Sequence, residues 1–258
     1  MKLHAQTAGH GPDLVLLHGW GLHSGIWAPL LPGLVPHCRV TCIDLPGHGL
    51  SPRDRADFTV EAAVAAVAAA APPGATWLGW SLGGQLAVAA ALAGHAIDRL
   101  VLVATTPRFV TAPDWPCAMA NTTLADFAAA LDRDHQKTVR DFLALQLRGD
   151  RQAATRLAEL RRLLAGSDEP DPRALAAGLT ILATLDLRTR LEEVRQPTLV
   201  IAGERDRLTP AEAGRRLATA LPDGRLLVMP GAAHAPFLAC PDDFVAAVTA
   251  FLPGAQAA

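Results

Sequence analysis

The chain has 258 residues, half of them apolar and 19% charged, with a formal net charge of −2. That length admits one large domain or two small ones; the apolar fraction excludes a disordered chain, and the lack of a basic surplus leaves no overall field for nucleic acid. Four scattered cysteines, Cys38, Cys42, Cys117 and Cys240, make neither a disulfide framework nor a zinc-ligand spacing, so a reducing compartment is expected.

In chain order, the first dozen residues lack the continuous apolar stretch of a secretory signal. No later window reaches the ~18 apolar residues that span a bilayer, so a soluble, cytoplasmic chain without a membrane partner is expected. Residues 14–17 and 40–43 are short apolar runs closed by turn residues, and both read as buried strands. Residues 60–71 are rich in alanine, which favours helix strongly but supplies little transfer energy, and read as a helix packed on a sheet. Strand 76–78, helix 82–93 and strand 100–103 continue the alternation. From 111 to 191 no strand pattern recurs. Apolar residues instead fall at helical spacing, as in Leu124, Phe127 and Leu131, and proline pairs such as Pro113/Pro116 and Pro170/Pro172 divide the stretch into helical hairpins. Strand 198–201, helix 211–221, strand 226–228 and helix 242–251 close the chain; Thr209 is expected to cap the first of these helices, with Pro210 at its first position. The reading is an α/β fold with a mostly parallel, doubly wound sheet, its core formed by residues 1–110 and 192–258 and a helical lid by 111–191.

Gly79-Trp80-Ser81-Leu82-Gly83-Gly84 lies directly after a predicted strand and directly before a predicted helix. This is G-x-S-x-G in its required context: a serine on a strained strand-to-helix turn, with glycines where side chains would strike neighbouring backbone. With four serines and 21 glycines in the chain, random placement gives about 0.03 such matches. A serine hydroxyl needs a base, and the base needs an orienting acid. Asp206 lies just past strand 198–201 and His234 just past strand 226–228. Both therefore sit at carboxyl ends of late strands, in the chain order nucleophile, acid, base. Glu204 is the rival acid, but Asp206, further past the strand end, reaches the histidine more readily. The oxyanion formed at a carbonyl requires two N–H donors; Leu82, following the serine, and Trp20, within His18-Gly19-Trp20-Gly21, are the candidates. His18 is expected to hold that loop by hydrogen bonding. Asp44 and His48 precede the serine, opposite to the required order, and read as loop structure.

Together these residues resemble the α/β-hydrolase superfamily over the whole chain. Within it, Leu16-Leu17-His18-Gly19-Trp20-Gly21-Leu22, Trp77-Leu78-Gly79-Trp80-Ser81-Leu82-Gly83-Gly84, Asp114-Trp115-Pro116, Phe142-Leu143-Ala144-Leu145-Gln146 and Ala232-Ala233-His234-Ala235-Pro236-Phe237 resemble the pimeloyl-[acyl-carrier protein] methyl ester esterases of biotin biosynthesis. The resemblance implies a serine carboxylesterase that frees a carboxylate and methanol, with Ser81, Asp206 and His234 as the triad and Trp20 and Leu82 at the oxyanion. It further implies that Phe142, Leu143, Ala144, Leu145 and Gln146 line the acyl chain, that the lid holds an acidic acyl-carrier protein, and that no metal or organic cofactor takes part. Lys137 falls in a matching place for carrier docking; Arg140, Arg148, Arg151 and Arg156 are further candidates, although the arginines after Gln146 are arranged differently from the family's. From Arg133 to Arg162 eight basic residues face four acidic ones, a local +4 that leaves the remainder of the chain at −6 and would steer an anionic macromolecule toward the site. A monomer is expected. The alternatives are a general short-chain carboxylesterase without carrier specificity, a C–C-bond hydrolase, and a non-catalytic binding module that keeps the pocket; Ser81 at the elbow speaks against a dehalogenase.

Overall fold

The computed structural model describes residues 2–52, 58–165 and 169–254. In chain order it holds β1 (Ala5–Ala8), β2 (Asp13–Leu17), α1 (Leu31–Leu34), β3 (Arg39–Ile43), α2 (Val60–Ala70), β4 (Ala75–Trp80), α3 (Leu82–Leu92) and β5 (Ile97–Val103). Four helices follow, α4 (Asn121–Arg133), α5 (His135–Gln146), α6 (Ala153–Leu164) and α7 (Pro172–Thr184), and then β6 (Thr198–Gly203), α8 (Ala211–Ala220), β7 (Gly224–Met229), α9 (Pro236–Ala239) and α10 (Pro241–Phe251). The strands form one seven-stranded sheet in the order β1-β3-β2-β4-β5-β6-β7. Every pairing is parallel except β1 with β3.

The parallel sheet follows from the apolar runs. Strand side chains alternate between faces, so a run apolar at every position is stable only where both faces are covered. Val15 and Leu17 of β2 and Leu100 and Leu102 of β5 join one core with Val64 and Val67 of α2 and Leu86 of α3. Their neighbours Leu14, Leu16, Val101 and Val103 join a second core with Leu34 of α1 and Phe244, Val248 and Phe251 of α10. Truncating one of these buried leucines to alanine costs about 2–5 kcal/mol. The alanine-rich segment forms α2, whose N-terminus is closed by the Thr59 hydroxyl accepting the Ala62 N–H at 3.2 Å.

β1 carried no sequence signal, because all four of its residues are exposed. It is held to β3 by backbone pairing, with the Thr7 and Thr41 hydroxyls 3.1 Å apart. Thr209 corrects another expectation: Pro210 is the N-cap of α8 and no side chain caps that helix; Thr209 stands one residue before the cap, and its hydroxyl donates to Asp206.

Sheet order positions the site. The chain runs outward from β2 to β3, then crosses back over β2 to β4 and proceeds the other way. β2 and β4 are therefore neighbours at the point where winding reverses, with Leu17 beside Gly79, and the loops leaving their carboxyl ends open a crevice there.

Candidate active site

Ser81 stands between β4 and α3 with φ 54° and ψ −116°. This is a strained conformation for a residue with a Cβ, of the kind retained at reacting centres. The flanking glycines make the turn possible. A Cβ on Gly79 would fall on the Gly83 carbonyl, and one on Gly83 would sit 2.5 Å from the Leu17 oxygen and 2.7 Å from that of His18. The turn is tied to the sheet by the Ser81 N–H donating to the Val103 carbonyl at 2.9 Å and by the Thr105 hydroxyl donating to the Ser81 carbonyl at 2.7 Å. The Ser81 side chain does not cap α3, so its hydroxyl is not spent on the helix. Leu82 is the first residue of α3, and its N–H accordingly has no acceptor within the helix.

His234 and Asp206 meet in the protein interior, 1% and 5% exposed respectively. His234 Nδ1 lies 2.8 Å from Asp206 Oδ2. Asp206 Oδ1 accepts the backbone N–H groups of Leu208 at 2.8 Å and Thr209 at 3.0 Å, while the Thr209 hydroxyl donates to Oδ2 at 2.7 Å. An acid holding four donors is fixed in place as an ionised acceptor, so Nδ1 carries the proton and Nε2 the lone pair. That Nε2 is buried and has no hydrogen-bond partner among the described residues. Glu204, the rival acid, is exposed and accepts the Gly231 N–H at 2.7 Å.

Two contacts outside the expected set position His234. The Trp80 indole, immediately before Ser81, donates to the His234 carbonyl at 2.8 Å, with the two rings 5.8 Å apart. The His234 N–H donates to the Gln146 carbonyl at 3.1 Å, which ties the end of α5 to the histidine loop. Trp80 and Thr209 were not singled out from the sequence for these tasks. A hydrogen-bonding side chain next to the elbow serine and a hydroxyl three residues past the acid were the available signals.

Trp20 is buried with its ring edge-on to Phe142 at 4.8 Å, and Phe142 in turn meets Phe127 at 5.5 Å. The Trp20 indole donates to the Leu175 carbonyl of α7 at 2.8 Å, and a Cβ at Gly178 would lie 2.6 Å from that ring. Helices α5 and α7 thus close over the loop that follows β2. Phe142, Leu143 and Gln146 are buried, Leu145 is half-buried and Ala144 is exposed; the helix turns Ala144 to solvent, away from the interior position expected of an acyl-lining residue.

The expected docking residues divide in a similar way. Arg140, Arg148 and Arg151 are exposed, and Lys137 is exposed with its Nζ 2.6 Å from Asp141. Arg156 departs from the expectation. It is 2.9 Å from the buried Asp150 carboxylate and donates to the Leu238 carbonyl, so it braces α6 against α9.

His18 holds its loop. Its Nε2 accepts the Leu45 N–H at 2.9 Å, which requires the Nδ1–H to donate to the Gly19 carbonyl at 2.8 Å. Asp44 accepts the N–H groups of Ser24 at 2.7 Å and Leu50 at 2.9 Å, and His48 Nδ1 lies 2.9 Å from the Pro46 carbonyl; both are loop structure. Burial, then the neighbouring His48, lowers the pKa of His18 to about 3, and burial also lowers those of His23 and His48. Histidines kept neutral in the folded chain bind protons only on unfolding. Their stabilisation is complete above the ordinary histidine pKa near 6.5 and is lost as pH falls below it, by up to about 1.4 kcal/mol per pH unit for each. Urea unfolding should therefore give a stability that drops between pH 7.5 and 5, and His48→Asn, whose amide can still reach the Pro46 carbonyl, should flatten that drop. An unchanged stability over this range would contradict the assignment of buried neutral imidazoles.

All four cysteines are free, and burial pushes the Cys38 thiol up to about 11 and Cys42 up to about 12, which disfavours the thiolate at both. Among the described residues no group of three or more His, Cys, Asp or Glu is placed to hold a metal ion, and no helix is long and apolar enough to cross a membrane.

The sequence profile of the alpha/beta hydrolase family matches residues 14–248. A protein of Xanthomonas axonopodis pv. citri named pimeloyl-[acyl-carrier protein] methyl ester esterase is 45% identical over 251 residues, covering 97% of this chain and 98% of its own length. One of the same name from Nitrosomonas europaea is 44% identical over 245 residues, covering 95% and 97%. Among solved structures, a hydrolase from Pseudomonas aeruginosa PA01 superposes with a TM-score of 0.79 at 29% identity, covering 96% of this chain and 93% of that one. An esterase from Exiguobacterium antarcticum gives 0.87 at 18% identity, covering 96% and 94%, a likeness of fold alone.

Proposed function

Since the chain belongs to the alpha/beta hydrolase family, we propose that Ser81, His234 and Asp206 form its catalytic triad and that it hydrolyses the methyl ester of a pimeloyl group carried on acyl-carrier protein. It is a carboxylic ester hydrolase, and the substrate follows from relatives alike over nearly the whole chain. The observation that carries the mechanism is the buried 2.8 Å contact between Asp206 and His234, joined through Trp80 to the turn that bears Ser81. His234 Nε2 takes the Ser81 proton as Oγ attacks the ester carbonyl, and Asp206 stabilises the imidazolium. The N–H groups of Trp20 and Leu82 hold the oxyanion, each contributing roughly 3–4 kcal/mol to the barrier reduction. Collapse expels methanol with the proton from His234; water, deprotonated in turn by His234, then attacks the acyl-enzyme and releases the free carboxylate on its carrier. No step calls for a metal or organic cofactor.

Residues 111–191 act in this reading as a lid, with Phe142, Leu143 and Gln146 against the acyl chain and the exposed Arg140, Arg148 and Arg151, with Lys137, facing the carrier. The free cysteines support a cytoplasmic setting. The test compares methanol release from pimeloyl-carrier methyl ester with release from an equally long free methyl ester, and with hydrolysis of a short p-nitrophenyl ester. A kcat/KM at least tenfold higher for the carrier-bound ester than for the free one is expected. Equal values for the two methyl esters, with the p-nitrophenyl ester preferred, would instead identify a general short-chain carboxylesterase.

A further inference from the structure

The loop after β6 carries two arginines that the catalytic scheme does not use. Arg205 and Arg207 border a surface pocket of about 670 Å3 that is also lined by Gly149, Glu204, Asp206 and Pro210. Gly149 belongs to the connection between α5 and α6, and its backbone lies against this loop. The position a Cβ would take there is 3.0 Å from the Arg205 carbonyl oxygen and 3.8 Å from Arg207 Nε. Arg148 and Arg151, on either side of Gly149 in sequence, are exposed. Tertiary structure thus sets the segment that carries Arg148 and Arg151 against the loop that carries Arg205 and Arg207, far apart in the chain.

Of the nearby carboxylates, two are engaged elsewhere and the third pairs with Arg205 only at the limit of contact. Asp206 is turned into the interior on His234, Asp150 is buried 2.9 Å from Arg156, and Glu204 accepts the Gly231 N–H while its closest approach to the Arg205 guanidinium is 4.0 Å. Arg148, Arg151 and Arg207 make no ion pair among the described residues. A chain of net charge −2 repels an acidic macromolecule overall, so productive encounter with one depends on a local positive field, which a concave surface focuses.

Resting on the esterase reading above, we propose that this pocket is a docking contact for the acidic carrier protein, with Arg205 and Arg207 pairing with carboxylates of the carrier surface. The same short loop would then hold both the triad acid and part of the carrier, so a docked carrier stands beside the reacting centre.

The test uses the full chain with Ser81→Ala, so that the carrier-bound methyl ester is not consumed, and follows binding of the fluorescently labelled, ester-loaded carrier by anisotropy at low and moderate salt. Adding Arg205→Glu and Arg207→Glu should weaken binding at least tenfold at low salt and make the remaining affinity less salt-dependent. Arg205→Gln with Arg207→Gln should weaken it by an intermediate factor with an unchanged melting temperature, which separates lost charge from lost fold. Arg225→Glu, at the opposite end of the sheet where β7 begins, serves as the control and should change affinity less than twofold. An unchanged affinity in the double Glu variant, or a loss matched by the control, overturns the proposal. Methanol release by the unaltered chain reads the esterase assignment separately. Release with no effect of charge reversal on affinity removes the pocket and leaves the esterase; loss of affinity without release upholds the pocket and removes the esterase.

Discussion

Ser81→Ala is expected to lower kcat for ester hydrolysis by about 10^4–10^6 while leaving the melting temperature within a few degrees of the parent. The magnitude follows from the chemistry. In the proposed mechanism, with Oγ gone no covalent acyl-enzyme can form, and what remains is attack by a bound water on a carbonyl polarised by the N–H groups of Leu82 and Trp20. The modest effect on stability follows from the structure, because the elbow is held by main-chain bonds to Val103 and Thr105 and the Ser81 side chain caps nothing. Steady-state hydrolysis beside thermal unfolding checks both halves. Undiminished turnover would remove Ser81 as nucleophile; lost turnover accompanied by a collapsed melting temperature would show only that the turn cannot form.

Asp206→Asn should reduce kcat by about 10^4 with KM changed little, because the geometry survives while the proton inventory does not. The native carboxylate accepts from His234 Nδ1, from two backbone N–H groups and from the Thr209 hydroxyl. An asparagine side chain has only one acceptor oxygen. The backbone donors of Leu208 and Thr209 claim it, which leaves the amide N–H₂ facing the imidazole. A donor there forces the proton from Nδ1 to Nε2, and an Nε2–H cannot take a proton from Ser81. Thr209→Val removes one of the four donors without changing side-chain shape and should cost about tenfold in kcat, restored by Thr209→Ser. Retention of parental kcat by Asp206→Asn would move the orienting role to another residue, although Glu204 is exposed and bonded to Gly231.

Much of the fold was legible because five of its strands are largely buried on both faces, while β7, at the sheet edge, keeps an apolar run although it is partly exposed. Six of the seven advertise themselves as apolar runs ending in turn residues, and the structure extends each by one to three residues. The seventh, β1, is Ala-Gln-Thr-Ala and exposed throughout; its pairing rests on backbone groups that every residue possesses, so nothing in its side chains marks it. The elbow was legible for a different reason. Gly79 and Gly83 are required by close backbone approach, and a steric requirement of that kind leaves a fixed residue pattern. Thr209 shows where such reading fails. A threonine before Pro-Ala is a good cap by local rules, but the helix starts one residue later, with Pro210 as its N-cap, and the Thr209 hydroxyl donates a hydrogen bond to the Asp206 carboxylate instead.

Local patterns, then, are enough to specify a doubly covered parallel sheet, a serine turn, and an acid and a base on late loops in workable order. They act through steric exclusion and burial within a few neighbouring positions, and so can be read along the chain. The choice between Asp206 and Glu204, the withdrawal of Arg156 into a brace between helices, the exposure of Ala144 and the meeting of Arg205 and Arg207 with Gly149 were decided only when the chain closed on itself. Each depends on which partner a flexible side chain meets across a large sequence separation, and that competition is settled by distance and desolvation in three dimensions.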